Sequence, residues 1–191
     1  EITKLKTYTD ELLKFSIDYP ENWVDSKMPG ERFVVFSSND AKSRFSKYDP
    51  TGFPGAIIDV YATKVTETKT VDTLIQKAKL FPDEYYKETS ITIDGVQAKR
   101  LDYGFELEGG DFQGVYIIAS KDNLTYTSLK IEAFDDTWEV YKDNFETIIK
   151  SLKLAETQQR RQDAITNIEE LPFPSTNLVA KKGNGFTISV P

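Results

Sequence analysis

The sequence predicts an α+β fold, an α/β/α sandwich in which a central antiparallel sheet is flanked by helices. Three observations predict it. Apolar and polar residues alternate with period two through most of the first two thirds of the chain. Short turns rather than long crossovers join those runs, and two amphipathic helical patterns interrupt them. Strands joined by short turns pair antiparallel, because a parallel pair needs a crossover of a dozen or more residues. The 191 residues allow one full domain and a remainder, and 39% hydrophobic with 13% aromatic content is enough for a core.

The elements follow in order. Lys14 to Tyr19 alternates Phe15, Ile17 and Tyr19 against Ser16 and Asp18, the pattern of a half-buried strand. Arg32 to Ser37, Gly55 to Val65 and Thr89 to Ile93 read the same way. A longer strand runs from Val96 to Leu107, with Leu101, Tyr103, Phe105 and Leu107 on one face. Gly109-Gly110-Asp111 supplies a hairpin turn, Phe112 to Ser120 pairs back, Asp122-Asn123 turns again, and Leu124 to Ala133 follows. Thr70 caps a helix over Val71 to Leu80, where Val71, Leu74, Ile75 and Ala78 fall at helical spacing. Asp135 or Asp136 caps a longer helix to about Leu152, with Trp138, Tyr141, Phe145, Ile148, Ile149 and Leu152 as its apolar stripe. Trp23 reads as a structural plug behind the Pro20 turn.

The texture changes at Ala155. Residues 155–185 are polar, carry four positive and four negative charges, and are punctuated by Pro172 and Pro174, so they read as a helical, proline-containing linker. The formal charge of -7 therefore belongs to residues 1–154, which hold 20 basic and 27 acidic side chains. Residues 186–191 (FTISVP) echo residues 15–20 (FSIDYP) at an offset of 171. We expect them to be the first strand of a second, truncated copy of the domain.

Composition excludes whole reaction classes. With no His and no Cys, the chain can hold no Ser-His-Asp triad, Cys-His pair, thiol redox motif or imidazole or thiolate zinc site. An acidic chain whose basic pairs (Lys99-Arg100, Arg160-Arg161, Lys181-Lys182) are scattered offers no face for nucleic acid. No apolar run approaches the roughly 20 residues of a membrane helix.

The stretch FSIDYPENW, residues 15–23, followed by RFVVFSS, resembles the opening of PsbP-like proteins, in which a strand leads to Tyr-Pro, two variable residues and a Trp. VDTLIQKAK, ITIDGVQAKRLDYGFEL, KDNLTYTSLKIEAF and DDTWEVYKDNFETIIKSLKL then fall in the family's order, so the resemblance covers about Leu5 to Leu154. It implies an antiparallel sheet sandwiched by helices, the fold of the photosystem extrinsic protein and of a Ran-binding nuclear import factor. It also implies a non-enzymatic accessory role, often at a membrane surface. Any imidazole-based metal site of photosynthetic relatives is missing here.

Two sets of residues are candidates for function. The loop Ser46 to Gly55 holds Tyr48, Asp49 and Phe53 among prolines and glycines, so its aromatics can anchor a partner or small ligand. Asp135 and Asp136 offer the oxygen ligands that calcium or manganese require, and capping the last helix explains the same pair. Glu106, Glu108 and Asp111 read as a solvated turn.

We therefore expect a non-enzymatic, extracytoplasmic binding module that takes a protein or cell-surface component, with no cofactor beyond a possible calcium or manganese ion. The residue at position 1 is Glu rather than Met, which leads us to expect an upstream start and a secreted or lipid-anchored parent, peripheral to a membrane. A calcium- or manganese-associated accessory protein of the photosystem II type is the alternative, and a cytosolic regulator like the import factor is a weaker one.

Overall fold

A computed structural model of the chain describes residues 2–28, 32–47, 54–65, 67–107, 110–134, 136–156, 179–183 and 186–190. Residues 1–157 and 158–191 form separate compact units.

The first unit is built on a seven-stranded, wholly antiparallel sheet. Its strands are β3 (Val24–Met28), β4 (Arg32–Phe36), β5 (Gly55–Lys64), β6 (Tyr86–Ile93), β7 (Val96–Leu107), β8 (Gly110–Ser120) and β9 (Thr125–Phe134), in the order β3-β4-β5-β9-β8-β7-β6. The last four strands form a meander, and β9 returns it to β5 at the centre. The turn between β6 and β7 is Asp94-Gly95, both at positive φ (48° and 81°), the combination a two-residue hairpin demands. In the turn between β8 and β9 the Asp122 carboxylate accepts from the amides of Leu124 and Thr125 at 2.8 and 2.7 Å, while Asn123 takes φ 60°.

Alternation sends odd-numbered residues of β9 to one face and even-numbered residues to the other. Leu129, Ile131 and Ala133 join Val115, Ile117, Ile58 and Val60 in the larger core. That core is closed by α3 (Thr137–Ser151), which inserts Phe145, Ile148 and Ile149, and by the hairpin of β1 (Leu5–Thr9) and β2 (Ser16–Pro20). Trp23 is buried there, edge-on to Tyr141 and Phe145 at 5.8 and 6.4 Å, which makes it the structural plug its position suggests. Arg100 on β7 ties the sheet to α3 through Glu146 at 2.7 Å and pairs with Asp102 at 2.7 Å. Burial opposes the Arg100 charge, but the two carboxylates outweigh it and hold the guanidinium more basic than usual.

The opposite face carries two shorter helices. One, α1 (Asn39–Lys47), seats Ala41 and Phe45 on β4 and β5, and the Phe45 ring stacks on Phe134 at 4.3 Å. The other, α2 (Val71–Ala78), seats Ile75 on Leu101 and Ile118. Thr70 caps α2 as its sequence position requires, its hydroxyl accepting from the Thr73 amide at 3.1 Å. Asp136 occupies the capping position of α3, but its side chain makes no capping hydrogen bond. The Thr137 hydroxyl next to it instead accepts from the Gly55 amide at 2.9 Å, so the helix start is tied to β5.

Three described elements of this unit (β1, β3 and α1) and a single 3-10 turn (Asp83–Tyr85) lie outside the expected pattern, and β6 starts at Tyr86 rather than Thr89. In the second unit β10 (Val179–Gly183) pairs antiparallel with β11 (Phe186–Val190). The FTISVP echo thus forms the second strand of a hairpin, as β2 does in the hairpin with β1.

The chain after α3 is fastened by Asp94. Its carboxylate pairs with Lys121 at 2.8 Å and Lys153 at 3.2 Å and accepts from the Leu154 amide at 3.1 Å. Partial burial opposes the charge, but these three partners together hold the carboxyl below its ordinary value of 3.8. A carboxyl depressed on folding stabilises the protein above its unfolded pKa, and that stabilisation is lost as pH falls through the folded value. Asp94→Asn keeps the tolerance for positive φ and is expected to cost about 1 to 2 kcal/mol at pH 7. In urea denaturation the gap to wild type should close below pH 3.8. A gap constant down to that range would remove the ionised carboxylate from the explanation.

Candidate functional site

The two helices on the α1/α2 face leave the centre of the sheet between them uncovered, and there the inward side chains are polar. Register places them in rows. Asp59, Lys130 and Tyr116 face one another across β5, β9 and β8, and the next row is Ile57, Glu132, Gly114 and Tyr103. Sheet pairing on both sides of β9 thus carries a lysine and a glutamate into the interior.

Their charges are compensated locally. Arg32 grips Asp59 with two parallel bonds, Nε to Oδ1 at 2.8 Å and Nη2 to Oδ2 at 2.6 Å, and this pairing holds the guanidinium more basic than usual. Lys130 Nζ stands 3.0 Å from Glu132 Oε2, while the Tyr103 hydroxyl donates to Glu132 Oε1 at 2.8 Å. The Glu132 side chain is only 5% exposed. Its Oε2 is within ion-pair range of the ammonium, yet the directional geometry of a hydrogen bond is not met. Beside this pair the Tyr116 hydroxyl donates to Ser128 Oγ at 3.0 Å and lies 3.2 Å from the Tyr61 hydroxyl. Burial, reinforced by Tyr61 and Asp59, pushes the Tyr116 phenol well above its ordinary range, so it stays protonated.

Gly114 makes the Tyr103 bond possible. A Cβ at this position would fall 2.6 Å from two ring atoms of Tyr103 and 2.8 Å from its oxygen. The bare glycine lets the ring lie across β8 and reach the carboxylate on β9.

Above the polar floor is a cleft of about 350 Å³, walled by Tyr61, Phe81, Tyr86, Tyr103, Phe112 and Tyr116. A depression toward α1 shares Lys130 and Glu132 with it, and another toward α2 shares Tyr61 and Tyr116. One lip is unusual. Leu80 is 83% exposed and Phe81 45%, although both backbones are fixed. The Tyr86 hydroxyl accepts from their two amides, at 2.7 and 3.0 Å, and Tyr85 stands edge-on to the Phe81 ring at 6.3 Å. Apolar side chains held out in water on an anchored backbone mark a contact surface.

Of the residues singled out by sequence, Tyr48, Asp49, Phe53, Glu108 and Asp135 lie outside the described residues. Asp136 is exposed at the start of α3. Among the described residues no three acidic side chains converge as a metal site would require. Asp111 and Glu106 are exposed, in keeping with a solvated turn. Sequence reasoning missed Lys130, Glu132, Gly114 and the Leu80-Phe81 lip. The available signal was the meander itself: with β9 paired on both sides, the polar residues of SLKIEAF need not face water.

Gly114→Ala is expected to push the Tyr103 ring off Glu132 and to cost about 1 to 3 kcal/mol in chemical denaturation. In the Tyr103→Ala background the same change should cost little, because the obstructing ring is gone. Equal costs in both backgrounds would separate Gly114 from the Tyr103 contact.

Comparison with known proteins places this geometry. Among solved structures, cyanobacterial PsbP (CyanoP) from Synechocystis superposes with a TM-score of 0.52 at 12% identity, covering 81% of this chain and 94% of its own. A crystal structure from Bacteroides thetaiotaomicron gives a TM-score of 0.50 at 15% identity, covering 86% of this chain and 57% of its own. At such identities the likeness is one of fold. No curated protein matches the chain. The family profile described as PsbP-like protein matches residues 2–154, and the chain belongs to that family.

Proposed function

We propose that the domain is a non-catalytic binding module acting outside the cytoplasm, and that the cleft between α1 and α2 is where it holds a protein or cell-surface component. The observation that carries this reading is the aromatic cleft with its exposed Leu80-Phe81 lip. The pair, 83% and 45% exposed, puts apolar surface at the mouth of the cleft, which fits a surface that meets something else. The floor supports a binding rather than a chemical role, because its charged groups are spent on one another: Arg32 on Asp59, and Lys130 on Glu132. The resemblance to PsbP-like proteins supports an extracytoplasmic setting. Among the described residues no helix is long and apolar enough to cross a membrane.

The test uses position-specific photocrosslinking. Phe81 lines the cleft, whereas Val140 is 68% exposed on α3, on the other side of the sheet. With benzoylphenylalanine at position 81, illumination in the envelope fraction of the source cells should give discrete adducts, and position 140 should give none. Equal labelling at both positions would place the contact surface elsewhere.

A further inference from the structure

We propose that the cleft takes a saccharide, with the ring of a neutral sugar unit lying between its aromatic walls and its polar floor. This rests on the cleft being the binding surface and names the chemistry it receives.

Charge comes first. The charged side chains that line the cleft are one cation, Lys130, and one carboxylate, Glu132, 3.0 Å apart, while Arg32 and Asp59 pair at 2.6 Å in the adjoining depression toward α1. The local sum is zero, so the field favours neither an anion nor a cation and suits a ligand that both donates and accepts hydrogen bonds. The polar inventory matches. Tyr61, Tyr103 and Tyr116 present hydroxyls, burial keeps that of Tyr116 protonated, and Lys130 contributes an ammonium.

The second observation is Glu132 Oε2. It is a buried carboxylate oxygen at the cleft floor that has an ammonium 3.0 Å away but no aligned hydrogen bond. A buried acceptor in that condition carries a penalty that a correctly placed donor removes. A hydroxyl entering between Nζ and Oε2 accepts from the ammonium and donates to the carboxylate. The 3.0 Å gap must widen to admit it, and the Lys130 side chain, 26% exposed, has room to swing outward. Neighbouring ring hydroxyls of a pyranose can then occupy both partners at once.

The walls complete the match. Sugar rings have apolar faces of C–H groups, which pack on flat aromatic surfaces, and Tyr86 and Tyr103 stand edge-to-face at 6.0 Å beside Phe81 and Phe112. A volume of about 350 Å³ accommodates one or two rings. A purely apolar ligand would supply no donor to Glu132 Oε2, and a cationic side chain would face Lys130.

The experiment is a titration of the full chain, followed by NMR and calorimetry, with maltose, cellobiose, lactose and N,N′-diacetylchitobiose, and with glucose, glucosamine and glucuronate as a neutral, cationic and anionic set. At least one neutral disaccharide should bind saturably and perturb Tyr103, Tyr116 and Lys130, and glucose should bind better than either charged analogue. Tyr103→Phe should weaken binding about fivefold, the loss of one hydrogen bond. Phe81→Ala, at a position 45% exposed and with folding checked by circular dichroism, should weaken it at least as much, and Val140→Ala should leave it unchanged. No saturable binding by any neutral sugar, tighter binding of a charged one, or equal affinity in Phe81→Ala and wild type would each overturn the proposal. If the sugars fail while position 81 still crosslinks a protein, the saccharide assignment falls and the cleft remains the binding surface. If both fail, the reading of the cleft falls with it.

Discussion

The architecture turns on one constraint: strand β9 lies in the middle of the sheet, and both of its faces are buried. Nine of its ten residues are buried outright, and its even-numbered residues include Ser128, Lys130 and Glu132. A carboxylate removed from water destabilises the fold unless it is paired and hydrogen-bonded. The side chains around Glu132 answer that requirement. Tyr103 reaches it from two strands away, Gly114 clears the path, Lys130 supplies the counter-charge, and Arg32 neutralises Asp59 in the adjoining row.

This also explains the division of labour between the two faces. The α3 face is a dry core sealed by α3 and the β1-β2 hairpin, and the Arg100–Glu146 pair and the Asp94 cluster fasten its edges. The other face has two short helices that cover apolar ground at either side, Phe45 over Phe134 and Ile75 over Leu101. Neither covers the polar middle. A third helix there would have to bury the Lys130 ammonium and three tyrosine hydroxyls. The cleft between the two helices leaves these groups beside open space.

The sequence made part of this legible. The β7–β9 meander announced itself through alternation and through Gly and Asp-Asn turns, and Thr70 marked the start of α2, because these signals are local. The elements β1 (LKTYT), β3 (VDSKM) and α1 (NDAKSRFSK) gave little local signal. Each is polar and short. The two strands exist because β2 and β4 provide ladders for them, and α1 because Ala41 and Phe45 find a prepared apolar patch. The floor of the cleft was hidden for the opposite reason. Lys130 and Glu132, alternating with Leu129 and Ile131, have the pattern of a strand with one wet face, and only the strand order makes that face interior.

The claim underneath is that the polar floor is a preorganised unit rather than a set of side chains stranded by packing. A double-mutant cycle of Tyr103→Phe against Glu132→Gln, measured by chemical denaturation, tests it most directly. Residues that share a buried hydrogen bond couple by about 0.5 to 3 kcal/mol, and the account requires a coupling of about 1 kcal/mol or more here. Costs that simply add would show that Tyr103 and Glu132 act independently, and the account of the cleft floor would then be wrong.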